Sequence, residues 1–183
     1  MLHLVKDISK EVIIIRILVI GSPGSGKSTL SKEIAKIFSI PILHLDKMYH
    51  IDNKRQISKE ELRNKIANFI EENTNWIIDG NYGSSMKYRS QYADWIIFMD
   101  IKTRVCLRNI RRRQKNAKHI KRSDMASGFI EDKLDMDFIE YVKSFRKNHY
   151  QNIHEVISEF NGKVTVIKNY REKDQFLEEI RND

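Results

Sequence analysis

The chain reads Gly21-Ser22-Pro23-Gly24-Ser25-Gly26-Lys27-Ser28-Thr29 early in its length, with glycine, lysine and serine at the spacing GxxxxGK(S/T). Glycines at 21, 24 and 26 can take positive φ and let successive backbone N–H groups come close to an oxyanion. Lys27 can carry its ammonium to the outer phosphates of a nucleoside triphosphate, and the Ser28 hydroxyl suits a hard cation such as Mg²⁺. The whole run from Gly21 to Thr29 is therefore the expected nucleotide cradle. Two further carboxylates end apolar runs and could take part: Asp79 after Asn75-Trp76-Ile77-Ile78, and Asp46 after Pro41-Ile42-Leu43-His44-Leu45. An acid closing an apolar strand after such a loop is the form expected of a residue that holds Mg²⁺ directly or through water. Simple capping of the next turn is the alternative for Asp79.

Those residues need strands and helices to bring them together. Ile13 to Ile20 is almost wholly apolar and β-branched, which suits a parallel strand buried on both faces. Leu30, Ile34 and Ile37/Phe38 then recur at helical spacing, so the glycine run lies between a strand and a helix, the context that the motif requires. A short second strand is expected over Pro41–Asp46 and a loop over Lys47–Ile57. Ser58-Lys59-Glu60-Glu61 opens a helix with a capping box, and Leu62, Ile66, Phe69 and Ile70 give it one apolar face. Asn75–Asp79 and Asp94–Asp100 read as strands three and four. Thr103 can cap a helix through Val105, Leu107 and Ile110. Helical spacing fades after Gln114 and returns at Phe138, Val142, Phe145, His149 and Ile153. A fifth strand at Lys163–Ile167 and a helix from Glu172 to Ile180 close the chain. Strands alternating with helices predict a parallel α/β sheet covered on both faces, with ligands gathered at the carboxyl ends of its strands.

Composition narrows the partners. The net charge is +8 over 183 residues, but Lys102 to Arg122 holds ten Lys and Arg and no acid. Removing those ten from the 33 basic residues leaves 23 against 25 acidic ones, so the whole basic excess sits in that segment. The single cysteine, Cys106, precludes an intramolecular disulfide framework and reads as a small core residue. No run reaches the ~18 apolar residues of a membrane span, and Met1–Asp7 lacks the apolar core of a secretory leader. The cytoplasm is the expected compartment and no membrane partner is expected. Oligomeric state and the role of residues 1–12 leave no signature.

Trp76-Ile77-Ile78-Asp79-Gly80-Asn81-Tyr82, Ala93–Asp100, Cys106-Leu107 before an arginine run, and Arg122-Ser123-Asp124-Met125 resemble the adenylate-kinase-related P-loop proteins named for DNA topology modulation. The resemblance runs from about residue 13 to 180. It implies a P-loop NTPase fold of nucleoside-monophosphate-kinase type, a three-layer sandwich with a five-stranded parallel sheet in the order 2-3-1-4-5. It also implies one domain over residues 1–183 with an inserted lid at about 114–134. By the same resemblance, Arg113 and Arg122 grip the transferring phosphate, and Asp46 holds an acceptor hydroxyl or acts as general base. A solvated loop carboxylate is the other reading of Asp46. The proline and arginine expected after the Asp-Gly turn are absent here, with Asn81-Tyr82 in their place and Arg89 as the nearest arginine. That departure argues against AMP as acceptor.

The expected activity is an Mg²⁺-ATP-dependent phosphotransferase acting on a small molecule, a nucleoside or a nucleotide. Lys27, Arg113, Arg122 and Asp46 are the catalytic candidates, Gly21 to Thr29 the nucleotide ligands, and Ser28 and Asp79 the metal ligands. A nucleotide-switched DNA-binding regulator of DNA topology is a second reading, since a stripe of positive charge serves phosphate backbones. It is not favoured, because the basic segment shows no helix-turn-helix, zinc ligands or aromatic stacking platform. ATP hydrolysis without an acceptor is a third.

Overall fold

The computed structural model describes residues 14–51, 55–116 and 136–182. Five strands, β1 (Arg16–Gly21), β2 (Ile42–His44), β3 (Trp76–Asp79), β4 (Trp95–Met99) and β5 (Lys163–Ile167), form one parallel sheet in the order β2-β3-β1-β4-β5. Both the α/β class and the strand order are those expected. Among the described residues, seven helices cover the sheet: α1 (Lys27–Phe38), α2 (Leu45–Tyr49), α3 (Lys59–Glu72), α4 (Gly83–Ser90), α5 (Thr103–Asn116), α6 (Met136–Glu159) and α7 (Tyr170–Asn182).

Alternation along the central strand sorts the layers. Ile17 and Val19 point to the side where Leu30 and Ile34 of α1, Cys106 and Ile110 of α5, and Phe176, Leu177 and Ile180 of α7 pack. Leu18 and Ile20 point to the other, against Leu62, Ile66 and Ile70 of α3, Met86 of α4, and Phe145, Ile153 and Val156 of α6. All four strand residues are fully buried, and each such side chain contributes about 1.5–3 kcal/mol relative to exposure. A strand apolar at every position is what two covered faces demand.

Local signals place the helix ends. Gly26 caps α1 with φ 96°, and α1 stops at Ser39, whose left-handed φ of 55° lets its N–H return to the Ala35 carbonyl. Pro41 then prevents the helix from continuing. Ser58 accepts from the Glu61 N–H at 3.0 Å, one half of the expected capping box. The stretch after β2 departs from expectation. The strand ends at His44, and Leu45 and Asp46 open α2 instead of prolonging it. Beyond α2 the Ile57 N–H donates to the Tyr49 carbonyl and His50 bridges to Gln56, pairings that a simple loop would lack. Apart from Gln114–Asn116, which continue α5, the expected lid lies outside the described residues, as does Arg122. No described helix is long and apolar enough to cross a membrane.

Phe145 is fully buried, and its ring packs against those of Tyr141, His149 and Tyr150 on α6 itself. Phe145→Ala is expected to lower unfolding stability by about 3–5 kcal/mol, read from urea denaturation at unchanged m-value. A loss under about 1 kcal/mol would contradict this packing.

Candidate functional site

The carboxyl ends of β1, β2, β3 and β4 place Gly21, His44, Asp79 and Asp100 along one rim. Between Gly21 and Lys27 the loop closes on itself, with the Ser25 N–H donating to the Ser22 carbonyl at 3.2 Å. Lys27 Nζ donates to the Ser22 carbonyl at 3.0 Å, so the ammonium lies over the loop that it serves. Gly24 has no alternative residue: φ is 77°, and a Cβ there would stand 2.6 Å from the Cys106 carbonyl oxygen of α5. Two side chains fasten the loop from outside. Asn109 of α5 donates to the Gly24 carbonyl at 2.8 Å, and the Tyr170 hydroxyl at the start of α7 donates to the Ser25 carbonyl at 3.2 Å. Asn109 also donates to the Tyr170 hydroxyl, at 2.6 Å.

Arg113 follows Asn109 by one helical turn and so shares its flank of α5. Arg104, Arg108, Arg111, Arg112 and Lys115 are exposed, whereas Arg113 is half-buried. Most of the arginine run is therefore a solvent-facing stripe. Cys106 is fully buried, and its thiol lies near the Ile101 carbonyl at 3.6 Å. Burial pushes the thiol up, while Lys27 and Arg146 pull the other way. A buried, protonated thiol is a core residue rather than a nucleophile, as expected.

Beyond β3 the chain makes a tight turn. Asp79 is 4% exposed; Oδ2 pairs with His44 Nδ1 at 2.8 Å, and Oδ1 is buried with no hydrogen-bond partner among the described residues. Asn81 Oδ1 accepts from the Gly21 N–H at 3.3 Å and so stitches this turn to the glycine loop. Arg89 of α4 holds the turn from inside. Its guanidinium donates to the carbonyls of Gly80 (3.1 Å), Asn81 (2.7 Å), Tyr82 (3.4 Å) and Ser85 (3.3 Å), and the side chain is fully buried. Burial pushes Arg89 down to about 10, with Asp79 pulling it back up, so it stays charged at neutral pH. Tyr82 takes φ 27°, a strained conformation for a bulky residue. It is anchored at both ends, by Arg89 on its carbonyl and by its hydroxyl, which donates to Asp46 Oδ1 at 2.9 Å. Burial and the Asp46 carboxylate hold that phenol far above its ordinary range, so it remains a donor.

Three participants carried no expectation from sequence. His44 falls beside Asp79 because β2 and β3 pair in that register. Arg89, ordinary in a polar stretch, turns out to be an internal brace. Arg146 of α6 pairs with Asp100, as does the Tyr150 hydroxyl, and the guanidinium stacks on the Tyr150 ring at 4.6 Å. The Arg146/Tyr150 pair was the readable signal, since residues four apart share a helix face.

A glycine loop leading from the central strand into a helix, in a sheet of order 2-3-1-4-5, defines a P-loop nucleotide-binding fold of kinase type. The family model described as ATPase family associated with various cellular activities (AAA) matches residues 17–119. The chain belongs to that family. No curated protein matches it. Among solved structures, deoxyadenosine kinase from M. mycoides with bound dATP aligns at 15% identity and TM-score 0.55, over 92% of this chain and 100% of that one. Shikimate kinase from Bacteroides thetaiotaomicron aligns at 18% identity and TM-score 0.52, over 92% and 97%. Shikimate kinase from Acinetobacter baumannii in complex with shikimate aligns at 12% identity and TM-score 0.58, over 92% and 91%. At such identities the likeness is one of fold.

Arg89→Lys keeps the charge but not the fork that reaches four carbonyls. It is expected to cost about 3 kcal/mol or more and to lower Tm. An unchanged Tm would show that the turn holds without the guanidinium.

Proposed function

We propose that this protein is an Mg²⁺-ATP-dependent phosphotransferase acting on a small-molecule acceptor. The observation that carries the reading is the meeting, on one rim, of a braced glycine loop with Lys27 folded over it and a carboxylate, Asp46, held in place by a phenol. Within the AAA family, the turn Asp79-Gly80-Asn81-Tyr82 supports a place beside the adenylate-kinase-related proteins that it resembles. The deoxyadenosine and shikimate kinases of like fold are named for phosphorylating small molecules, which supports the same class of reaction here.

Loop amides and Lys27 bind the β- and γ-phosphates of ATP, aided by the amino end of α1. The buried, unpartnered Oδ1 of Asp79 and the Ser28 hydroxyl are hard oxygen donors of the kind that Mg²⁺ takes, directly or through water. When bound, the ion supplies positive charge against the β- and γ-phosphate oxygens. His44 fixes the orientation of Asp79. Arg113, on the loop's flank of α5, and Arg122, in the proposed lid over about 114–134, would meet the charge that spreads onto the transferring phosphoryl oxygens. Asp46 holds the acceptor hydroxyl and takes its proton as the oxygen bonds to the γ-phosphorus and the bridge to ADP breaks. The Asp46–Tyr82 pair favours transfer to an acceptor over hydrolysis, because a carboxylate positioned by its own donor is built to orient a second hydroxyl.

Lys27→Ala is expected to lower kcat/KM for acceptor-dependent ADP release by about 100-fold or more and ATP affinity at least about tenfold. Wild-type affinity and turnover in that variant would refute the reading.

The exposed stripe of Arg104, Arg108, Arg111, Arg112 and Lys115 supports the second reading, contact with nucleic-acid phosphates. With labelled duplex DNA at about 150 mM salt, binding is expected to be no tighter than that of a generic basic protein. Tight, ATP-dependent binding lost on replacing Arg104, Arg108 and Arg111 with Gln would favour the DNA-bound switch.

A further inference from the structure

Aromatic rings gather beside Asp46. Tyr82, on the β3 turn, donates to the carboxylate, and Tyr49 of α2 packs edge-on to it with ring centroids 5.0 Å apart. From α6, across the rim, comes Tyr141, 39% exposed, whose phenol is close enough to Asp46 and Tyr82 to feel both. Phe138 stacks on Tyr141, and His149 and Phe145 pack against its other edges. Thus one phenol bonds the carboxylate, a second packs against the first, and a third, open to solvent, lies within electrostatic reach of both.

Among the described residues, two arginines of this region, Arg89 and Arg146, are engaged elsewhere. Arg89, the arginine nearest the turn in sequence, is fully buried and gives its donors to four backbone carbonyls. Arg146 is held by Asp100 and stacked on Tyr150. Burial holds His149 down, so at neutral pH it adds no charge beside Tyr141. A phosphate or carboxylate brought to this floor would meet the Asp46 carboxylate, and like charges in a half-buried site repel.

We propose that the acceptor is an uncharged molecule with a flat ring and a primary or secondary hydroxyl, the chemistry of a nucleoside, seated on Tyr49, Tyr82 and Tyr141 with its hydroxyl on Asp46. This rests on the phosphotransferase reading above. Asp46 Oδ1 is taken by Tyr82, which leaves Oδ2 to accept from the incoming hydroxyl. The acceptor oxygen forms its bond to the γ-phosphorus, the bond to the β–γ bridging oxygen breaks, the hydroxyl proton passes to Asp46, and ADP departs with the bridging oxygen. The exposed ring of Tyr141 supplies stacking surface that neither a nucleotide's phosphate nor an aliphatic acid would use.

The test uses the full chain with Mg²⁺ and ATP and reads ADP release. The panel holds ribo- and deoxyribonucleosides, their 5′-monophosphates, shikimate, and the ring-free polyols glycerol and xylitol. A nucleoside is expected to exceed its own monophosphate, shikimate and both polyols by about 100-fold or more in kcat/KM. Tyr141→Ala is expected to raise KM for that nucleoside about tenfold with KM for ATP unchanged, and Tyr141→Phe, which keeps the ring, to recover most of the loss. Preference for a monophosphate, shikimate or polyol overturns the acceptor class while leaving phosphoryl transfer in place. An unmoved nucleoside KM in Tyr141→Ala overturns the stacking floor. ADP release with no member of the panel overturns both readings.

Discussion

A phosphate group can be gripped by backbone amides only where no side chain stands between them, and that steric condition governs this molecule. The loop from Gly21 to Gly26 meets it by being pressed against its neighbours rather than by hanging free. At Gly24 a single added carbon would lie 2.6 Å from the Cys106 carbonyl oxygen, and at Gly21 a Cβ would lie 2.5 Å from that of Met99. The loop's path is thus dictated from both sides, by β4 and by α5, while Asn109 and Tyr170 pin its carbonyls. An amide cradle held this way loses little conformational freedom when an anion arrives. The apolar core reaches the site through those contacts: Ile110 packs at Gly24, and α5 is fixed in turn by Cys106 and Ile110 in the sheet's core.

The same logic of satisfied backbone explains the turn after β3. A tight turn at the end of a buried strand leaves carbonyls pointing into protein, and each unpaired one costs about 1–3 kcal/mol. Arg89 answers four of them with one planar group, which accounts for a fully buried guanidinium that no carboxylate among the described residues bonds directly. Asp79 lies close enough to oppose the desolvation of that charge. The brace also makes the strained Tyr82 tenable, and through Tyr82 it determines where Asp46 stands.

The elements that were legible in the sequence are those whose burial leaves a repeating pattern. Central strands covered on both faces read as unbroken apolar runs, so β1, β3 and β4 were evident, and the apolar faces of α3 and α6 repeat at helical spacing. What escaped depends on partners far apart in the chain. His44 meets Asp79 through parallel register between two short strands, and nothing within either strand specifies that register. Arg146 meets Asp100 across 46 residues. The helix α2, five residues long, is too short to show a period, so Asp46 looked like the end of a strand. Arg89 was the deepest miss, since an arginine in a polar stretch is ordinarily a surface residue.

Charge is distributed unevenly along the rim, and the distribution has a mechanical origin. On the side of α1 and α5, Lys27 lies over the glycine loop, which Asn109 fastens. On the side of α2 and α4, Arg89 is consumed by backbone carbonyls, and Asp46 is held by the Tyr82 hydroxyl. The long helix α6 spans the two regions, presenting Arg146 and Tyr150 to Asp100 and Tyr141 toward Asp46. Because Phe145 is buried between those residues, neither end of this face can shift without repacking the core beneath it. A single rigid helix therefore ties the end of β4, through Arg146 and Tyr150, to the aromatic cluster around Tyr141 and Phe145.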